Sequence, residues 1–253
     1  MVAAAEGAGM LQKYWQWTLV LALMWVSPVV LADPPQHDYF HIKMDMDSEV
    51  ATDGEALARY AKACEAGQLE DCGNLGMAYL HGQDVEQDVD RGLVLLEQAC
   101  SGGEQGVCGA LGVIYLYGQG VGQDVDRGLA LLEQTCSAGE QGFCGALGVI
   151  YLYGQGVEQD VERGLALLDQ SCSAGELNPC GNLGTAYLHG HGVEQDIERG
   201  LSLSKQACED GELNTCGNLG VVFLVGEVVE QDVKRGQSLL EQACSARILN
   251  ACH

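Results

Sequence analysis

The stretch 93–128, LVLLEQACSGGEQGVCGALGVIYLYGQGVGQDVDRG, runs without a gap into 129–164, LALLEQTCSAGEQGFCGALGVIYLYGQGVEQDVERG. The two are close to identical, and self-similarity at a fixed period takes precedence over any other reading of fold. Working outward in rows of 36 from Leu57 puts Cys64, Cys100, Cys136, Cys172, Cys208 and Cys244 in one column. Cys72, Cys108, Cys144, Cys180, Cys216 and Cys252 fill a second, with no insertion or deletion. Five full rows close on Arg-Gly, at Gly92, Gly128, Gly164, Gly200 and Gly236.

Each row predicts two helices. Cys108 to Tyr117 is too densely apolar for an alternating strand and stops at Gly118 and Gly120, which can take positive φ; we label this type of helix A. In the next segment Asp160 stands as N-cap and Glu162 near the positive helix end. The apolar set Leu165, Leu167, Leu168 and Cys172 follows, and the segment ends near Gly175. This is helix B. Two antiparallel helices per period, stacked in register, predict an all-α fold, an α-solenoid in which no repeat buries its apolar face alone. A leading B helix is expected near residues 50–66, and residues 51–253 form one solenoid of about five helix pairs.

Composition agrees. Of 253 residues 47% are apolar but only 6% aromatic, and Gly occurs 35 times, so the core must be built from closely packed Leu, Val and Ala. Residues 1–32 read as a secretory signal: Lys13, an apolar run from Trp15 to Val26, Pro28, then Val30-Leu31-Ala32. The run is short for a membrane span, so cleavage after Ala32 is expected, with residues 33–50 as a flexible leader and no membrane association afterwards. Met10 would make a tidier start than Met1. Cleavage removes one acid, Glu6, and one base, Lys13, and leaves the net charge of −24 unchanged. Such a surface repels nucleic acid and anionic headgroups; a solvated exterior explains it more simply than an acidic groove.

Twelve Cys in an exported chain point to a disulfide framework. Each C-x(7)-C would join the last turn of a helix B to the first turn of the next helix A: Cys64–Cys72, Cys100–Cys108, Cys136–Cys144, Cys172–Cys180, Cys208–Cys216 and Cys244–Cys252. The competing metal reading fits poorly, because structural zinc uses shorter knuckles with four converging ligands. No C-x-x-C redox motif occurs, and no metal or other cofactor is expected. Acidic loops such as Asp84 to Asp88 lack the Gly and terminal Glu of a calcium loop and read as N-caps.

Between rows, Leu75, Gly76, Leu80 and Gly82 recur, and Tyr79 is replaced only by Phe223; these are packing positions. Positions 74, 77, 78 and 81 differ from row to row and form one helical stripe.

The pattern C-G-x-L-G-x-x-Y-L-x-G-x-G-V-x-Q-D, as in Cys144 to Asp160, resembles the Sel-one-like repeat, a relative of the tetratricopeptide repeat. The added C-x(7)-C in every row resembles the Helicobacter cysteine-rich protein (Hcp) type. This resemblance covers about residues 57–252. It implies disulfides within each helical unit, secretion or a periplasmic location, and a concave face lined by helix A that binds proteins or peptides. Several members of the type are described as penicillin-binding or as weak β-lactamases, so β-lactams or peptidoglycan fragments are also implied ligands. The sequence departs from the pattern in placing Gly, not Ala, after the helix B Arg, which is expected to loosen those helices.

The leading expectation is therefore a non-catalytic, exported scaffold. Its partner-facing ladder would comprise Asn74, Met77 and His81, then Val113 with Tyr117, Val149 with Tyr153, Asn182 with Thr185 and His189, and Asn218 with Val221 and Val225. The alternative is β-lactam hydrolysis. Ser202 and Lys205 match S-x-x-K, but the match falls inside a helix B and neither companion motif is present. His189 and His191 form a lone H-x-H, short of a metallo-enzyme's ligand set.

Overall fold

The computed structural model describes residues 53–245. The signal segment, the leader and Cys252 lie outside the described residues. Within them are eleven helices of 13 residues each. The B helices are α1 (Asp53–Glu65), α3 (Val89–Ser101), α5 (Val125–Ser137), α7 (Val161–Ser173), α9 (Ile197–Glu209) and α11 (Val233–Ser245). Alternating with them are the A helices α2 (Leu69–His81), α4 (Gln105–Tyr117), α6 (Gln141–Tyr153), α8 (Leu177–His189) and α10 (Leu213–Val225). The A helices begin three residues before the column Cys, one turn earlier than their apolar density indicates.

The V-x-Q-D signature is a junction device. The A helices stop at glycines in the left-handed region, from Gly82 at φ 68° to Gly226 at φ 71°. The Gln of the motif then donates to a carbonyl of the finished helix, as Gln123 Nε2 does to Leu116 O at 2.9 Å. The Asp next to it turns its amide to the same helix, Asp124 N to Tyr115 O at 2.8 Å. Its carboxylate accepts from Arg127 N at 3.1 Å and so caps the following B helix. The same three bonds recur in the other four rows.

Each A helix packs most extensively on the B helix that follows it and less on the one before. The crossing is a reciprocal glycine contact. A Cβ at Gly112 would lie 2.9 Å from Gly128 O, and one at Gly128 would lie 2.7 Å from Gly112 O and 2.6 Å from Leu116 N. The pairs Gly76/Gly92, Gly148/Gly164, Gly184/Gly200 and Gly220/Gly236 repeat it. This corrects the expectation that the B-helix glycines loosen their helices: they are buried, and they are what lets two backbones touch. Leu96, Leu132 and Leu168, fully buried, pack on the A-helix glycine of each pair.

Five disulfides bridge successive helices, Cys64–Cys72, Cys100–Cys108, Cys136–Cys144, Cys172–Cys180 and Cys208–Cys216, with Cα atoms 4.6 to 4.8 Å apart. The pairing of Cys244 with Cys252 falls outside the described residues. Closing so short a loop restricts the unfolded chain by about 2.5 kcal/mol per bond in the chain-entropy view. Successive A helices touch directly at α6–α8 and α8–α10, while no described pair of B helices packs as closely. The A layer is therefore the inner, more tightly spaced one.

Candidate functional site

A helices with a B helix beneath and A neighbours on either side keep little open surface. Met77, Val113 and Val149 are only 5%, 7% and 1% exposed, so they belong to the packed interior and the accessible stripe is narrower than its sequence period indicates. Left at the surface are His81, half-buried Asn74 and the exposed Tyr117. Half-buried Tyr153, Asn182 and Thr185 follow, with exposed His189 and Asn218. Val221 and Val225, on the last described A helix, are about half exposed, at 49% and 51%.

These residues form a ladder with links between rows. Tyr117 Oη donates to Gln155 Oε1 at 2.9 Å, and Tyr153 Oη lies 3.5 Å from Nδ1 of His191, the equivalent loop position one repeat on. His191 stacks on His189 with ring centroids 5.5 Å apart and meets the Tyr153 ring edge-on at 5.7 Å. Burial, then the neighbouring His189, hold the His191 pKa below its ordinary value. Burial alone raises the phenol pKa values of Tyr117 and Tyr153. Gln155 and His191 escape a reading of helix faces because they sit in loops; their signal is the shared position two residues after each helix-ending ring.

Charge is segregated. Four of the five A helices, α4, α6, α8 and α10, contain no Asp, Glu, Lys or Arg. The A–B loops carry exposed carboxylates such as Asp84, Glu86, Asp124, Glu158, Glu194 and Glu227. An open hollow beside the first of these loops is lined by Tyr79, Glu86, Asp88, Asp90 and Arg91. Behind the A layer the Arg of each Arg-Gly pair sits over the ring of the preceding A helix, from Arg91 over Tyr79 at 4.2 Å to Arg235 over Phe223 at 4.1 Å.

Two of these stacks extend to the previous repeat. Glu97 accepts from Tyr115 Oη and from Arg127 Nη2, both at 2.7 Å. Glu133 does the same with Tyr151 at 2.7 Å and Arg163 at 2.8 Å. The hydrogen bond from Tyr115, aided by Arg127, holds the Glu97 carboxyl below its usual pKa against the opposing effect of burial. Burial, then Glu97, pushes the Tyr115 phenol up to about 12.

Ser202 and Lys205 lie exposed on α9, where Lys205 Nζ pairs with Glu209 at 3.5 Å. No hydrogen bond joins Ser202 to Lys205 among the described residues. No group of three or more potential metal ligands converges among the described residues.

The Sel1 repeat model matches residues 70–104, 108–140, 144–176, 180–212 and 216–247. No curated protein matches the sequence closely enough to count as a relative. Among solved structures the chain is similar to a Sel1 repeat protein from Oxalobacter formigenes, at 26% identity over 76% of this chain and 79% of that one, with a TM-score of 0.65. It also shares its fold with c5321, a protective antigen of uropathogenic Escherichia coli strains, at 23% identity over 75% of this chain and 41% of that one, TM-score 0.61. A third is the immunity protein Pa5087 from Pseudomonas aeruginosa, at 22% identity over 84% and 82% of the two chains, TM-score 0.59. Matched row by row through most of the solenoid, the chain belongs to the Sel1 repeat family.

Proposed function

We propose that the protein is an exported, non-catalytic scaffold that binds a protein or peptide through the concave A-helix face. The observation that carries this reading is the contrast between positions within one helix. Glycines, leucines and the Arg-stacked ring repeat almost unchanged, while the accessible residues at the same depth vary among Asn, Ala, Thr, Tyr, His and Val. Packing fixes the former; the latter are free to be chosen for a ligand. Tyr, His and Asn offer broad apolar faces with donors and acceptors that suit a peptide backbone. Paired cysteines in every row support placing the chain with the cysteine-rich Hcp type. Five disulfides fit a non-reducing compartment. No described helix is long and apolar enough to cross a membrane.

Site-specific photo-crosslinking in the native, oxidised protein tests the face. A crosslinker at Asn182 is expected to trap a discrete partner in envelope extracts, and Tyr153→Ala to abolish the adduct. The same crosslinker at Val94, exposed on a B helix, should trap none. Equal adducts from Val94, or adducts from Asn182 indifferent to Tyr153, would sink the proposal.

A further inference from the structure

The ring ladder identifies a class of partner, on the reading that the A-helix face is the docking surface. Each of the first four A helices ends on a ring, His81, Tyr117, Tyr153 and His189, placed immediately before the glycine that turns the chain into an A–B loop. Each ring is followed along the chain by exposed loop carboxylates, Asp84 and Glu86, Glu158, and Glu194, while the Tyr117 row has Gly122 in that place and only the capping Asp124. Among the described residues no Lys or Arg forms an ion pair with any of them: the pairs present engage Glu97, Glu133, Asp169 and Glu209 instead. The arginine that follows each loop is already engaged: Arg91, Arg127, Arg163, Arg199 and Arg235 each stack on a ring behind the A layer.

An anionic ligand would find no cation on this surface. A basic one would meet rings for its planar or ammonium head and loop carboxylates engaged in no ion pair, the combination the protein already uses where Arg127 lies between Tyr115 and Glu97. A second observation points to a polypeptide. Gln155 Oε1 is occupied by Tyr117, but its Nε2 is shut off from water and has no acceptor. A buried donor left so is costly, and the carbonyl of an extended chain would satisfy it once the Tyr117 ring, bonded to the same amide, shifts aside.

Spacing sharpens the class. Packed helices stand about 8–10 Å apart, so the ladder step from Tyr153 to His189, on A helices that touch, is of about that length. A polyproline-type chain advances about 3.1 Å per residue and presents the same face every third residue, about 9 Å on. We propose that the ladder binds an extended cationic segment whose Lys or Arg residues recur at every third position, one per repeat, between a helix-ending ring and the loop carboxylates of that repeat.

The test uses the full oxidised protein and labelled peptides of roughly eighteen residues in a Gly/Ser/Pro background, read by fluorescence anisotropy. One peptide carries Arg at every third position, one carries the same arginines contiguously, and one is neutral. The periodic peptide is expected to bind at least about fivefold tighter than its contiguous isomer, with affinity falling as salt rises. Tyr117→Ala with Tyr153→Ala should weaken it roughly tenfold while circular dichroism stays unchanged. Equal binding of the two basic peptides, unaffected by the tyrosine changes, would show only attraction to an acidic protein and overturn the proposal. Tyrosine-dependent binding of the neutral peptide would overturn the cationic class yet leave the scaffold reading standing. That reading fails separately, in the crosslinking contrast between Asn182 and Val94.

Discussion

A methyl group added at Gly128 would lie 2.6 Å from Leu116 N and 2.7 Å from Gly112 O, and both obstacles are backbone. Ala is the better helix former by about 1 kcal/mol, so propensity alone favours Gly128→Ala. Overpacking against a backbone that cannot rotate aside costs about 1–3 kcal/mol, and it wins. We expect Gly128→Ala to lower the urea midpoint. The opposite sign is expected at Ser204. Leu96, Leu132, Leu168 and Leu240 hold the equivalent place, whereas Ser204 is 2% exposed with its hydroxyl unpartnered. Its Oγ is in close contact with the space over Gly184 where the other rows seat a leucine. Ser204→Leu removes a stranded hydroxyl and fills that space, for a gain of about 2 kcal/mol in denaturant unfolding, and Leu168→Ser should lose at least as much. A Ser204→Leu protein no more stable than the parent would show that the fourth repeat has relaxed around its serine.

At the scale of the element, the acid, phenol and guanidinium triads join three consecutive helices, and their linkage to pH has a definite sign. Tyr115 is held neutral in the fold, its pKa raised from an ordinary value near 10 to about 12. A raised folded pKa means that its contribution is complete below the unfolded value and is lost as pH rises through the folded one, from about 10 to about 12. Glu97 is depressed, so its contribution is present above its unfolded value of 4.5 and lost as pH falls through the lower folded value. Resistance to urea should thus fall above pH 10, and Tyr115→Phe should flatten that alkaline limb. An unchanged limb in the phenylalanine variant would remove the triad from the account. The helices, their Asp caps and their glycine stops were legible in single rows, because those signals are local. The triads were not, because Glu97, Tyr115 and Arg127 belong to three elements, 18 and 30 residues apart, and only the recurrence of Arg-Gly and of the ring at 79 hinted at them. The stripe of helix A was legible in direction but not in width: Val113 and Val149 share its angular sector, and their burial comes from neighbours on both sides, which a period does not encode.

Over the described stack the triads are uneven: they are complete only in the middle, since Ala61 holds the acid's place at the first junction and the set lapses again toward α11. Full triads tie α3 to α4 and α5, and α5 to α6 and α7. At the next junction Asp169, one methylene shorter, reaches Arg199 only at 3.7 Å. At the last, Lys205 stands where the acid should be and turns to Glu209, while Phe223 has no hydroxyl to offer. Ser204 in place of the core leucine is in the same segment, so core packing and inter-repeat bonding weaken together. In a solenoid each repeat answers only to its neighbours, and such a lapse permits opening of the end without loss of the middle. Amide exchange in the oxidised protein is therefore expected to run faster through α9–α11 than through α4–α7, in spite of the disulfide Cys208–Cys216 that closes one bend there. Lys205→Glu together with Phe223→Tyr recreates the triad on Arg235, at a cost of a few tenths of a kcal/mol, roughly, because the introduced carboxylate stands one turn from that of Glu209 and repels it. The pair should slow exchange in α10 and α11 and leave α4 unaffected; uniform exchange along the stack, before and after the change, would mean that the repeats unfold as one cooperative unit and that the triads do not set its local stability.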